Sequence, residues 1–205
     1  MIKIGILGDI GSGKSHVAKN FGYPVFNADV EVGKLYKTDK KIFNKLKKVL
    51  PKHIHTFPIN KNEICDAILT SNSNLKKIIT IVHLEIRKKL NIFLKKNMNQ
   101  KIVILDIPLL LENKIDNKDD ILVFIQSKKI DILKKLKKRK NFNSKLYKKF
   151  KNIQLSLDYK KKRSHFIIKN NFTNKSVNKS IKKILKGILW NERSYTGYRN
   201  NGFIR

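Results

Sequence analysis

The stretch Ile2–Ser15, IKIGILGDIGSGKS, decides how the rest of the chain is to be read. An apolar run, Ile2 to Leu7, ends in a glycine, and Gly8-Asp9-Ile10-Gly11-Ser12-Gly13-Lys14-Ser15 then satisfies G-x-x-x-x-G-K-[ST]. Between a strand and a helix this spacing is a phosphate-binding loop. Glycines allow backbone torsions that turn successive N–H groups toward phosphate oxygens, and the N-terminus of the following helix adds a favourable dipole. Gly8, Gly11, Ser12, Gly13, Lys14, Ser15 and the following His16 are therefore candidate ATP-binding residues. Lys14 is suited to reach the β- and γ-phosphates, and the Ser15 hydroxyl to ligate Mg²⁺.

Working outward, apolar strands alternate with amphipathic helical segments, the pattern of an α/β fold with helices packed on a parallel sheet. Strands are predicted at Ile2–Leu7, Pro24–Asn27, Ile102–Asp106, Ile121–Ile125 and Phe166–Ile168. Helical spacing recurs in Ile42, Leu46, Val49 and Leu50, in Leu75 through Phe93, in Leu146, Phe150, Ile153 and Leu157, and in Val177 through Ile188. With 205 residues the chain suffices for one domain with insertions. The long helical segment of about 51–98 reads as an insertion beside a core of 1–50 and 99–190, and the tail 191–205, rich in Gly, Asn and Arg, as poorly ordered.

Composition narrows the setting. The single cysteine, Cys65, cannot form an internal disulfide. No apolar run reaches the roughly 18 to 20 residues of a membrane span, and no signal peptide is read, so a cytoplasmic protein without a membrane partner is expected. There are 47 Lys+Arg against 15 Asp+Glu, a formal charge of +32. The lysines are spread through nearly every segment in company with Asn and Ile, residues of A/T-rich codons, and are not gathered into a stripe with interleaved aromatics. Two readings of the charge stay open, a compositional basic surface and a charge selected for a polyanionic partner. Specific nucleic-acid binding is not expected; weak, salt-sensitive polyanion binding is. No oligomeric state is assigned.

Two carboxylates complete the candidate site. Asp29, in PVFNADVEVGKLY, follows the second strand, and ligands of such sheets gather outside the carboxyl ends of the strands. It is placed either to meet a substrate hydroxyl or to cap the helix starting near Val30. Asp106 ends the apolar strand of VILDIPLLLEN and suits the water shell of Mg²⁺, although Asp at a strand end also starts turns. Glu112 follows an apolar run, a place where acidic residues are often simply exposed.

Together these motifs resemble the dephospho-coenzyme A kinase family over roughly Met1 to Leu189. The family's P-loop GGIGSGKS appears as GDIGSGKS, its DAD motif as Asn27-Ala28-Asp29, and its D-x-P-L-L-x-E signature as Asp106 through Glu112. Its two lid arginines correspond to Lys135 and Arg139, and its later glutamine and terminal asparagine to Gln154 and Asn170. The resemblance implies a P-loop kinase core with a five-stranded parallel sheet, a helical substrate-binding insertion within about 51–98 and a lid at about 135–154. It implies ATP and dephospho-CoA as substrates, transfer of the γ-phosphoryl to the ribose 3′-hydroxyl, and Mg²⁺. On this reading Asp29, Lys14 and Arg139 are catalytic, and Arg139 and Asn170 also bind ATP. Asp29, Lys61, His83 and Asp106 bind the acceptor, and Ser15 and, through water, Asp106 hold the metal.

The chain departs from the family pattern at Asn27 (for Asp), His16 (for Thr), Lys61 and Lys135 (for Arg), His83-Leu84 (for His-Pro) and Ser164-His165 (for Ala-Asp). Lys for Arg keeps the charge and loses bidentate geometry. Another small-molecule P-loop kinase and a non-enzymatic nucleic-acid-binding P-loop protein are the alternatives; intact Lys14 and Asp29 argue against the second.

Overall fold

The computed structural model describes residues 1–139 and 142–192; most of the tail read above as poorly ordered lies outside them. Five strands, β1 (Ile2–Gly8), β2 (Val25–Asn27), β3 (Ile102–Asp106), β4 (Ile121–Gln126) and β5 (Phe166–Lys169), form one sheet in the order β2-β3-β1-β4-β5. Every pairing is parallel. All five predicted strands are present with ends within a residue of those expected, because each is a short apolar run bounded by turn residues. The nine helices among the described residues are α1 (Lys14–Asn20), α2 (Ala28–Thr38), α3 (Lys40–Val49), α4 (Lys61–Thr70), α5 (Asn72–Lys96), α6 (Lys129–Lys137), α7 (Ser144–Asn152), α8 (Leu157–Arg163) and α9 (Asn174–Glu192). The apolar series Leu146 to Leu157, read as one helical run, is divided between α7 and α8, since Asn152 ends α7 and Ser156 caps α8 through its hydroxyl.

Alternation along the strands sends side chains to two cores. Ile4, Ile6, Ile102, Ile104, Val123 and Ile125 pack under α1 and α9 with Val17, Val177, Ile181 and Ile184. Leu7, Phe26, Leu105, Leu122 and Phe124 meet the helices between β2 and β3, through Leu35, Leu46, Ile78, Val82 and Ile86. A strand covered on both faces is apolar along its length, as Ile102–Leu105 of β3 are, and the equally buried Asp106 ends that strand. In β1, Gly5 stands where a Cβ would come within 2.6 Å of Leu110 and 2.9 Å of Leu122, and Lys3, the charged residue of the strand, pairs with Asp120 at 2.8 Å.

His165, one of the departures from the family pattern, has a structural role. Its backbone N–H donates to the Leu122 carbonyl (2.8 Å), and its Nδ1 accepts from the Leu122 N–H (2.8 Å), extending the join between β4 and β5. Burial, and then the Arg163 guanidinium, hold the imidazole below its usual pKa of 6.5. The unfolded chain therefore takes up more protons than the folded one as pH falls, so the contribution of His165 is complete above about pH 6.5 and is lost below it. His83, also depressed by burial and by Arg87, adds a slope of the same sign. His165→Asn keeps an acceptor for Leu122 and cannot titrate. Urea unfolding between pH 7.5 and 5.5 is expected to show a shallower loss of stability in this variant than in the wild type.

Candidate active site

The carboxyl ends of β1, β2 and β3 bring the glycine loop, Asp29 and Asp106 together. The loop from Gly8 to Gly13 turns on positive φ angles at Gly8 (148°), Gly11 (82°) and Gly13 (89°). Gly13 has no room for a side chain, because a Cβ would lie 2.5 Å from Asn170 Nδ2. Ser12 is fully buried under the loop, and its carbonyl accepts from Asn170 Nδ2 (2.8 Å) and Ser127 Oγ (3.0 Å). Asn170 in turn accepts from the Phe172 N–H (2.8 Å). Both polar ends of Asn170 are thus engaged in bracing the loop from the end of β5. His16, on α1, is exposed and joins Asn174 Oδ1 through Nε2 (2.8 Å), tying α1 to the start of α9.

Lys14 curls back over the loop and donates to the carbonyls of Asp9 (2.7 Å) and Gly8 (3.3 Å). Burial lowers its pKa from 10.5 to about 8, an effect that the nearby Asp106 and Asp29 carboxylates oppose. The Asp29 pKa is raised, first by desolvation and then by the Asp106 charge, with Lys14 and Arg139 pulling it back. Asp29 keeps access to water, so its desolvation is partial.

The capping alternative for Asp29 does not hold. The cap of α2 is Asn27, whose side-chain oxygen accepts from the Val30 N–H (2.8 Å), and Asp29 lies within the first turn. Because β2 pairs with β3 in register Asn27 to Asp106, the Asn27 amide also reaches the Asp106 carboxylate, which is 2% exposed. The same amide nitrogen lies 3.4 Å from Ser15 Oγ.

Asp29 stands at an apolar cleft of about 500 Å³ between the helices that follow β2 and the segment around α7. Ile64 and Ile68 of α4, Ile78 and Val82 of α5, and Leu146 and Phe150 of α7 line it, with His83, Arg139 and Gln154 among its polar groups. Lys61, at the exposed start of α4, is not among the lining residues. Lys135 points elsewhere, its ammonium 4.3 Å from the centre of the Phe172 ring.

Sequence reasoning passed over two connections. Asp9, where the family pattern has Gly, accepts from Lys151 Nζ of α7 (2.6 Å) and from the Ile10 N–H (2.7 Å), so that the loop is joined to the segment across the cleft. The unexpected acid in a glycine loop was the available signal. Glu112 is also not simply exposed. Its side chain, 9% exposed, pairs with that of Lys160, 1% exposed, at 2.7 Å, and accepts from the Leu155 N–H (3.0 Å).

A doubly wound parallel sheet, a glycine loop opening α1 and a carboxylate beside its lysine define a P-loop kinase. The solved structures agree on the fold: one from Thermus thermophilus superposes with a TM-score of 0.71 at 23% identity over 92% of this chain and 96% of that one. The dephospho-CoA kinase from Campylobacter jejuni gives 0.62 at 20% identity over 93% and 98%. A dephospho-CoA kinase family profile matches residues 2–176. The dephospho-CoA kinase of Wolbachia pipientis wMel is 32% identical over 179 residues, 85% of this chain and 91% of the relative. That of Rickettsia typhi (strain ATCC VR-144 / Wilmington) is 33% identical over 171 residues, 82% and 87%. The chain belongs to the dephospho-CoA kinase family.

Removing Lys160 strands a buried carboxylate, so Lys160→Met is expected to cost about 3–5 kcal/mol in denaturant unfolding. Adding Glu112→Gln should recover part of that loss, because glutamine still accepts from the Leu155 N–H and carries no charge.

Proposed function

We propose that the chain transfers the γ-phosphoryl group of ATP to the ribose 3′-hydroxyl of dephospho-CoA, giving CoA and ADP, the last step of coenzyme A biosynthesis, and does so in the cytoplasm. The observation that carries the reading is the carboxylate of Asp29 at an apolar cleft, within the electrostatic reach of Lys14, Arg139 and Asp106. An apolar cleft with a few polar groups suits the pantetheine arm and adenine of dephospho-CoA, which bury apolar surface, while the charged diphosphate between them calls for basic side chains. We assign residues 51–98 as the acceptor-binding insertion and 135–154 as the lid.

Phosphoryl transfer passes through a loose transition state, so the protein's task is alignment and charge stabilisation. In this reading the N–H groups of Gly11, Gly13, Lys14 and Ser15 cradle the triphosphate, and Gly8, Ser12 and Asn170 keep the loop in shape. His16 faces the nucleotide from the first turn of α1. Lys14, with a pKa near 8, is largely protonated at neutral pH, and phosphate charge would favour that form further. Asp29 orients the acceptor hydroxyl and takes its proton late, when the oxygen has become acidic; a raised pKa makes it a better base. Arg139 supplies a planar, permanently charged fork to the transferring group. His83, inside the cleft, and Lys61, at its approach, contact the acceptor.

The donor set of Ser15 and Asp106, a hydroxyl and one carboxylate close enough to share the Asn27 amide, fits Mg²⁺, which binds through one or two carboxylates and keeps several waters. Mg²⁺ bound there supplies positive charge to the β- and γ-phosphate oxygens. Ser15 would ligate it directly, and Asp106 would hold its water shell while helping to position the acceptor.

The test supplies ATP and Mg²⁺ with dephospho-CoA, AMP, UMP or a nucleoside and identifies the product by mass. CoA is expected from dephospho-CoA alone, and its absence would refute the proposal. Because Asn27 is the cap, Asp29→Asn should leave the thermal midpoint nearly unchanged while kcat falls by roughly 10²- to 10⁴-fold. A variant keeping more than about a third of wild-type kcat, with chemistry rate-limiting, would remove Asp29 from the role of base. Lys14→Ala is the contrast, losing ATP affinity together with turnover.

A further inference from the structure

Asn27 departs from the family pattern at a place where three elements meet, and the structure gives each of its polar atoms a separate task. Its Oδ1 accepts from the Val30 N–H (2.8 Å). Its Nδ2 donates to Asp106 Oδ2 (2.5 Å) and lies 3.4 Å from Ser15 Oγ. The amide has one consistent orientation: the N–H at the start of α2 needs an acceptor, so the oxygen faces the helix and the NH₂ group faces the carboxylate. The parallel register of β2 on β3 sets Asn27 opposite Asp106 and fixes the side-chain separation.

An aspartate at this position would cap α2 equally well. It could not donate to Asp106, however, and would set a second negative charge against a buried carboxylate, an arrangement that requires a proton or a cation between the two. The amide supplies the donor and adds no charge. It engages Asp106 Oδ2 while lying 3.4 Å from the Ser15 hydroxyl, so one amide nitrogen stands next to both groups.

We propose that Asn27 is a positioning residue for phosphoryl transfer: its amide takes the place of a cation in orienting Asp106 beside Ser15, so that the divalent metal enters with the nucleotide phosphates and is held only weakly by the protein alone. The proposal rests on the assignment of Ser15 and Asp106 to the metal shell. It gives the departure from Asp a physical meaning, because one anionic ligand makes a weaker metal site than two and affinity rises with ligand charge.

Mn²⁺ binding to the nucleotide-free protein, read by electron paramagnetic resonance, tests this without turnover. Asn27→Asp is expected to bind Mn²⁺ about tenfold more tightly than the wild type, with a thermal midpoint that falls in the absence of metal, because two carboxylates then face each other, and recovers when Mn²⁺ is added. Adding Asp106→Asn should abolish the gain. A gain smaller than threefold, or one that survives Asp106→Asn, overturns the proposal. Asn27→Ser keeps a cap and loses the amide donor. Its kcat is expected to fall about tenfold with KM for ATP little changed, the scale seen when a group supporting a metal ligand is lost. A kcat within twofold of wild type would leave Asn27 as a cap alone and overturns it too. Failure of the kinase reading would appear separately, as wild-type protein that makes no CoA whatever its Mn²⁺ affinity.

Discussion

The site depends on the register of three adjacent parallel strands. β1 lies between β3 and β4 and releases the glycine loop at Gly8, and β2 lies beside β3 with Asn27 opposite Asp106. The order of connections reverses on either side of β1, leaving a crevice at the carboxyl ends of the strands. Because side chains alternate along a strand, sliding β2 by one residue would turn Asn27 away from Asp106 and bury a polar group in the sheet core. The register is held by apolar packing on both faces. Phe26 and Leu105 meet one core, and Ile104 meets the other.

Within that frame the electrostatics are arranged at a cost to stability. Lys14 loses enough hydration to drop its pKa to about 8, and Asp29 is pushed the opposite way by burial and by Asp106. Groups whose charged forms are disfavoured in the resting protein respond strongly to an incoming phosphate or hydroxyl, which is the usual reason perturbed pKa values collect at functional sites. The neutral amide of Asn27 relieves part of the crowding, since it binds Asp106 without adding a third carboxylate beside Asp29.

The structure also accounts for several departures from the family pattern. His165 replaces an acid with a side chain that accepts a backbone hydrogen bond across β4 and β5. Asp9 puts a carboxylate into the loop and neutralises it with Lys151 at 2.6 Å. Lys135 rests its charge on the Phe172 ring, which packs against Gly13. Each exchanges one local interaction for another, Asp9 and Lys135 beside the glycine loop and His165 at the opposite end of the sheet, and none of them removes Lys14, Ser15, Asp29 or Arg139.

The five strands, the glycine loop and the family could be read from the sequence because their signals are local: apolar runs of strand length, glycines at positive φ and short motifs of fixed spacing. The carboxylates Asp29 and Asp106 were legible for the same reason, each ending or following an apolar strand. Which of two neighbouring residues caps α2 was not legible, because Asn27 and Asp29 are both good caps and only the exit of the chain from β2 chooses between them. The pairing of Glu112 with Lys160, and of Asp9 with Lys151 across 142 positions, was equally hidden. In a chain with 47 basic residues, composition alone cannot single out the lysine that meets a given acid. That choice belongs to the packing of α7 and α8 against the loop and the sheet, where burial makes one partner necessary and leaves the others in water.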